Sequence, residues 1–437
     1  MAMIRPETEM KDSGIQWIGD IPNNWNIKPL YACLDEINQK NNPIVTTNIL
    51  SLTNTDGVIP YSERGNQGNK SKENFEEYKV VYPNTIVANS MNILIGSVGL
   101  SKYEGCVSPV YYVYMAKPQV DIRYMNYLFQ MEPFQKRLRQ FANGILEIRL
   151  RVSSHDILHQ KVAVPDYDEQ QAIADYLDET CSKIDEIIAE AKASVDEYKE
   201  LKQSVIFEAV TKGLDKDIEM KNSEVVGMGF IPKKWSVVRF MKVNYVRARL
   251  GWKGLKAEEY VDVGYPFLAA YHIVNNHLCW ESLNCITKER YDESPEIKLS
   301  IGDLVLVKDG AGIGKCARID EMPLGEATVN SSLSVITPNK LLDYRYEYYY
   351  FMSPLFQNII ARLKNGMGVP HLTQESMKDI YLPLPSKKEQ QDIADYLDNK
   401  VVELDSLITE KESLINDLEA YKKSRIYEVV TGKRRVV

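Results

Sequence analysis

The stretch EQQAIADYLD at Glu169–Asp178 returns as EQQDIADYLD at Glu389–Asp398, 220 residues later. Ten residues differing at one position are not a chance match, so internal repetition is the first thing to test. Moving outward, SVIFEAVT at Ser204–Thr211 matches SRIYEVVT at Ser424–Thr431, again 220 residues apart. Towards the N-terminus, MKDSGIQWIGDIPNNW at Met10–Trp25 matches MKNSEVVGMGFIPKKW at Met220–Trp235 at a spacing of 210. The ends of the repeat match and the middles, about 26–164 and 236–384, have diverged. A period this long excludes a solenoid and describes one domain-sized unit used twice.

Each unit has the same internal order. An Ile-Pro-x-x-Trp entry is followed by short β-like runs, such as Thr85–Asn89 and Asp303–Lys308. A helical patch ending in Asn143-Gly144 or Asn365-Gly366 comes next, and then a proline stop at Pro165 or at Pro383 and Pro385. A long helix follows the prolines. In the first, apolar or small residues stand at Ile173, Leu177, Cys181, Ile184, Ile188, Ala191, Val195 and Tyr198, the four-and-three spacing of a heptad. In the second, Ile393, Leu397, Val401, Leu404, Ile408, Ile415 and Leu418 keep that register, with Lys411 interrupting it. Asp168 and Ser386 are candidate N-caps, and Gly213 and Gly432 are candidate stops.

A two-residue seam per heptad needs a partner helix. Each helix has an obvious partner in the other, and a pseudo-two-fold axis would set them antiparallel, with the globular domains at the two ends of a rod. The plainer alternative packs each helix on its own domain. The expected class is therefore α+β: two pseudo-repeated mixed α/β domains separated by two long antiparallel coiled-coil helices. The boundaries are 1–165, 166–214, 215–385 and 386–437.

The 437 residues carry a net charge of −8, with 44% hydrophobic and 26% charged residues, an ordinary globular composition. Net acidity argues against nucleic-acid binding, but its distribution reverses the inference. Residues 166–220 hold 6 Lys/Arg against 16 Asp/Glu, a net −10, so the two large flanking segments are close to neutral. Such domains can carry a basic face. Six cysteines (Cys33, Cys106, Cys181, Cys279, Cys285, Cys316) form no CxxC pair and read as free thiols of a cytoplasmic protein. No apolar run is long enough for a membrane span, and the N-terminus lacks an apolar signal core.

The ordered double set of motifs resembles the specificity subunits of Type I DNA restriction–modification systems. Met-Lys-Asp-Ser at Met10, its copy at Met220, the two EQQxIADYLD starts and the C-terminal EVVTGK carry the resemblance over essentially the whole chain. The resemblance implies two target recognition domains, each reading half of a bipartite site on double-stranded DNA. It implies a non-catalytic subunit that holds two adenine-N6 methyltransferase subunits and, through them, restriction/translocase subunits. S-adenosylmethionine would then belong to the methyltransferase, and ATP and Mg²⁺ to the restriction subunit, with no cofactor in this chain. Residues 1–9 precede the usual start of the family, and Gly227 stands where the first unit has Trp17.

The residues are consistent with that role. An adenine methyltransferase needs an Asn/Asp-Pro-Pro-aromatic loop, and the chain has no Pro-Pro dipeptide. Asp309–Lys315 (DGAGIGK) imitates a phosphate loop. It lacks the first glycine, and Cys316 stands where a Mg²⁺-binding Ser/Thr is required. A glycine-rich turn between strands is the simpler reading. His155 and His159 have the spacing of a helical metal pair without a third ligand, so no metal site and no catalytic residue is expected.

DNA contacts call for Lys and Arg on phosphates and polar side chains on base edges. In the first domain the candidates are Arg64, Asn69, Lys70 and Lys72 on a polar loop, with Arg149 and Arg151 on one face of a strand. In the second they are Arg247, Arg249, Lys253 and Lys256 around Trp252, Lys308 and Lys315 beside the glycine-rich turn, and His371 at a loop tip. The chain has 27 tyrosines against 10 phenylalanines, and those of the runs Tyr111–Tyr114 and Tyr344–Phe351 read mostly as packing residues with bonded hydroxyls. Rival readings are a catalytic fusion, a coiled-coil scaffold that binds no DNA, and a silent spare specificity cassette.

Overall fold

The computed structural model describes residues 3–53, 57–64, 74–142, 150–249, 256–310, 312–364 and 371–436. Its two longest elements come directly from the heptads: helices Tyr167–Lys212 and Lys387–Val430, of 46 and 44 residues. At about 1.5 Å per residue, neither is a length that propensity alone sustains in water without a packed seam. Ser386 Oγ caps the second helix by accepting from Glu389 N at 3.3 Å. The first is capped by Asp166, whose Oδ1 accepts from Glu169 N at 2.9 Å, and Asp168 lies inside the helix. Gly213 and Gly432 follow the helix ends with φ of +79° and +74°. At Gly432 an added Cβ would lie 2.4 Å from Pro22 Cδ, so only glycine fits.

The chain forms two compact units, and the long helices are divided between them. One unit is Met1–Lys192 with Ser413–Val437; the other is Ala193–Glu412. Each unit thus contains the start of its own helix and the end of the other repeat's helix. In the first unit, Ile173, Leu177 and Cys181 share a core with Ile426, Val429 and Val430. In the second, Ile393, Leu397 and Val401 share one with Ile206, Ala209 and Val210. The remaining seam positions Ile184, Ile188, Val195, Leu404, Ile408 and Ile415 are buried, and Leu418 is half-buried.

Within each unit the two helical segments run antiparallel. Lys422 Nζ bonds both carboxylate oxygens of Asp185 at 2.6 Å, and Lys192 lies 3.7 Å from Glu419. In the second unit Lys202 Nζ bonds Asp405 at 2.6 and 2.8 Å, and Lys199 bonds Glu412 at 3.1 Å. Each pair has its counterpart 220 residues away. Exposed pairs of this kind are worth about 0–1 kcal/mol, so the apolar seam supplies most of the stability.

Each unit is built around a four-stranded antiparallel sheet. In the first, the order is Val98–Leu100, Ile86–Asn89, Tyr111–Ala116, Leu34–Glu36. In the second, it is Asn244–Arg247, Leu333–Pro338, Leu304–Val307, Cys316–Arg318. Ile86–Asn89 and Leu304–Val307 are buried at every position, because layers cover both of their faces. The helices Ile122–Gln130 and Glu132–Arg139 follow the first sheet, and Tyr344–Met352 and Pro354–Lys364 the second. The tyrosine-rich run Tyr344–Phe351 is therefore helical. A strand then leads into each long helix: Lys161–Val164 pairs with Asn26–Pro29, and Tyr381–Leu384 pairs with Ser236–Arg239.

The repeated EQQ motif locks helix to unit. Gln170, 1% exposed, accepts from Asp121 N at 2.9 Å and donates to Pro165 O at 3.0 Å. Gln390, 0% exposed, accepts from Asp343 N at 2.7 Å and donates to Pro385 O at 3.0 Å. Tyr124 Oη reaches Ala163 O and Val430 O at 2.9 and 3.0 Å, and Tyr346 Oη reaches Pro383 O and Val210 O, both at 3.0 Å. Asp175 and Asp178 bind Arg123, as Asp395 and Asp398 bind Arg345. Residues 3–9 are built into the first unit: Met3–Ile4 pairs with Arg434–Arg435, and the Arg5 guanidinium binds the Glu169 carboxylate.

Candidate nucleic-acid interface

In both units one end of the sheet meets the segment that leads into a short helix. In the first, Val152 N donates to Ser90 O at 3.1 Å, just before the helix Ser154–Leu158. In the second, Leu372 N donates to Lys308 O at 2.9 Å, and Asp309 bridges His371, just before the helix Gln374–Met377. The two edges are built alike and carry different side chains.

At the first edge, Arg151 is exposed and Tyr112 Oη donates to Val152 O at 3.1 Å. Burial pushes the phenol of Tyr111 up, and the Arg64 charge and a hydrogen bond with Asn89 pull it down. Asn89 stands opposite Tyr111 in the sheet. Arg64 lies over the Tyr61 ring at 5.3 Å, and its Nη1 is 3.4 Å from Ser51 Oγ. Arg151 occupies an extended segment with a single bridge rather than a strand. Asn69, Lys70, Lys72 and Arg149 lie outside the described residues.

At the second edge the glycine-rich segment is the turn between strands Leu304–Val307 and Cys316–Arg318. Gly314 N bonds Val307 O at 3.0 Å and Lys315 N bonds Gly312 O at 3.0 Å, so these amides are already used within the turn. Lys315 is exposed, and Lys308 Nζ lies 3.5 Å from Asp309. His371 Nδ1 pairs with the Asp309 carboxylate, which orients the ring and leaves Nε2 to accept.

The other basic candidates separate. Arg247 is committed to the interior: its guanidinium bonds Asp303 at 2.8 Å, Thr337 Oγ1 at 2.7 Å and the carbonyls of Glu296 and Lys298. Arg249 is 8% exposed, and burial, with Arg290 nearby, pulls its guanidinium below the ordinary arginine range. Lys256 is exposed. Lys253 and Trp252 lie outside the described residues, as do Asn143-Gly144 and Asn365-Gly366.

Composition alone misses Asn89 and Asp309, which bear on the two edges. The signal for both is their place at the end of a buried run, IVAN and LVLVKD. Within the tyrosine-rich helix, Tyr346, Tyr348, Tyr349 and Tyr350 are packing residues, at most 3% exposed with each hydroxyl bonded. His155 and His159 stack with ring centroids 3.9 Å apart. Among the described residues no cluster of three metal-ligating side chains occurs, and no helix is long and apolar enough to cross a membrane.

Comparison with known proteins gives a consistent result. The Type I restriction modification DNA specificity domain matches twice, at residues 30–197 and 232–419. The type I restriction enzyme MjaVIII specificity subunit of Methanocaldococcus jannaschii is 26% identical over 282 residues, covering 63% of this chain and 62% of that protein. By structure, a chain from a study of complex assembly and conformational transition in a type I R-M system superposes with TM-score 0.71. Its identity is 14%, over 94% of this chain and 99% of that one. The HsdS subunit of Thermoanaerobacter tengcongensis gives 0.51 at 14% identity, over 94% and 98%. The chain belongs to the Type I restriction modification DNA specificity domain family, in two copies.

Proposed function

We propose that the chain reads DNA for a Type I restriction–modification complex without itself catalysing a reaction. Each unit reads one half of a gapped site, and the long helices set the unread spacer. The helices also dock two methyltransferase subunits, which bring S-adenosylmethionine and recruit the restriction subunits with their ATP and Mg²⁺.

The observation that carries this reading is the pair of equivalent sheet edges. The same backbone bond, Val152 N to Ser90 O and Leu372 N to Lys308 O, presents Arg151 in one unit and His371 with Asp309 in the other. One scaffold with two side-chain sets is what reading two different half-sites requires. Guanidinium, ammonium and imidazole are also the groups that bind phosphates and purine edges.

The test is co-expression with the cognate methyltransferase subunit, followed by genome-wide mapping of N6-methyladenine. A gapped motif, methylated on both strands and lost without this chain, supports the reading. Methylation of a short ungapped motif contradicts it, and so does DNA binding by the complex that is insensitive to salt.

A further inference from the structure

One face of the first unit carries side chains that its repeat replaces with others. The loop around Trp17, the helix Glu132–Arg139 and the turn at Lys161 enclose an open groove of about 900 Å³. Trp17 and Phe141 form aromatic wall, and Lys136, Arg137 and Lys161 supply the cations. Asp156 is the carboxylate of the lining, and its Oδ2 accepts from Ser153 Oγ at 2.6 Å.

Arg137 is fixed in place. Its guanidinium lies 4.7 Å from the centre of the Phe141 ring, and Nε donates to Gln160 Oε1 at 3.2 Å. Gln160 is 6% exposed, a buried amide that the fold tolerates only with partners. Lys136 pairs with Glu132 at 2.6 Å, an exposed contact that a phosphate can displace at little cost. Trp17 rests on Phe134, with centroids 5.6 Å apart, and is half-buried.

The second unit is the internal control. Aligning Phe134 with Phe356 and Val162 with Leu382 places Gly227, Ile359, Ile380 and Tyr381 where the first unit has Trp17, Arg137, Gln160 and Lys161. Ile359, Ile380 and Tyr381 pack on the core of the second unit. The shared scaffold therefore folds without the ring, the guanidinium, the amide or the ammonium, so the fold common to both units does not account for them.

We propose that this groove binds a nucleotide, with its base against Trp17 and its phosphate on Arg137, flanked by Lys136 and Lys161. A stacked, hydrogen-bonded guanidinium is organised in advance for a phosphate. An indole face accepts any base, which favours a ring bearing a phosphate over a simple anion. The nucleotide has two chemical sources, a free mononucleotide or the end of a single strand. The inference stands apart from half-site reading, because it rests on side chains that the second unit replaces with Gly227, Ile359, Ile380 and Tyr381.

The experiment titrates the full-length chain with dAMP, ATP and a four-nucleotide single strand, followed by tryptophan fluorescence and calorimetry. Saturable binding is expected. Arg137→Ile and Trp17→Gly should each weaken it about tenfold or more. Both substitutions install residues with which the second unit already folds, and unfolding curves check that each variant is intact. A strand that binds more tightly than either mononucleotide assigns the groove to nucleic-acid ends; equal or weaker binding assigns it to free nucleotides. No saturable binding of any probe, or binding that neither substitution changes, overturns the proposal.

Discussion

The two units share a framework and differ in what hangs on it, and the division between shared and different is sharp. Gln170 and Gln390, Tyr124 and Tyr346, and the Arg123 and Arg345 clusters make the same bonds in both units. At the sheet edges and on the face around Trp17, the side chains differ in charge, size and polarity. What a duplicated scaffold retains between its copies is what holds the helix to the unit. What it changes lies at the sheet edges, on the face around Trp17 and at a few buried positions such as Glu347.

The retained bonds give the largest expected effect. Gln170→Leu and Gln390→Leu should each cost about 2–4 kcal/mol, because each leaves a buried N–H and a buried C=O without a partner. Urea unfolding of the two variants should show losses that agree within about 1 kcal/mol. A large loss in one unit and none in the other would break the equivalence of the two locks.

A second prediction uses a polar group present in one core only. Glu347 is fully buried where the first unit has Met125, and burial pushes its carboxyl up to about 8, partly opposed by its hydrogen bond with Asn244. At neutral pH it is a neutral acid, able to supply the donor that the buried Asn244 Oδ1 lacks among the described residues. Its native value lies above the ordinary 4.5, so the folded state holds the proton more tightly. The stability it contributes is complete below about pH 4.5 and is lost as pH rises towards about 8. Glu347→Gln should therefore leave stability at pH 5 nearly unchanged and raise it at pH 8 by more than about 1 kcal/mol. A pH-independent difference would show that Glu347 does not titrate in that window.

The entry tryptophans sharpen the comparison further. Trp25 Nε1 donates to Glu169 Oε2 at 2.9 Å, whereas among the described residues Trp235 Nε1 has no acceptor. Trp25→Phe should cost about 1 kcal/mol more than Trp235→Phe, the net worth of one hydrogen bond. Equal losses in denaturant midpoints would place the difference in packing instead.

Much of this is legible in the sequence, for physical reasons that can be named. The duplication shows because the helix starts kept identical residues, and the helices show because a 3.5-residue apolar period has no other structural meaning. The candidate site was legible in part. The glycine-rich turn declares itself through its φ requirements, and the edge candidates stand beside buried strands. Arg247 shows the limit: a basic run looks like surface, and its ion-pair partner Asp303 is 56 residues away. The helix cap went to Asp166 rather than Asp168 because two acids in three residues offer equal chemistry, and only the backbone path decides. The division of each helix between units depends on contacts such as Tyr124 with Val430, 306 residues apart, which no local pattern encodes.

The central claim is that two equivalent edges read two separate half-sites. Its most direct test is methylation mapping of the assembled complex carrying Arg151→Ala or His371→Ala. The expected result is that each substitution relaxes or abolishes recognition in one half of the gapped motif, a different half for each, with discrimination at the affected position falling by about 1–3 kcal/mol. The other half and the spacer should be unchanged. Either substitution altering both halves together, or neither altering the motif in a stable and fully assembled complex, would contradict the account.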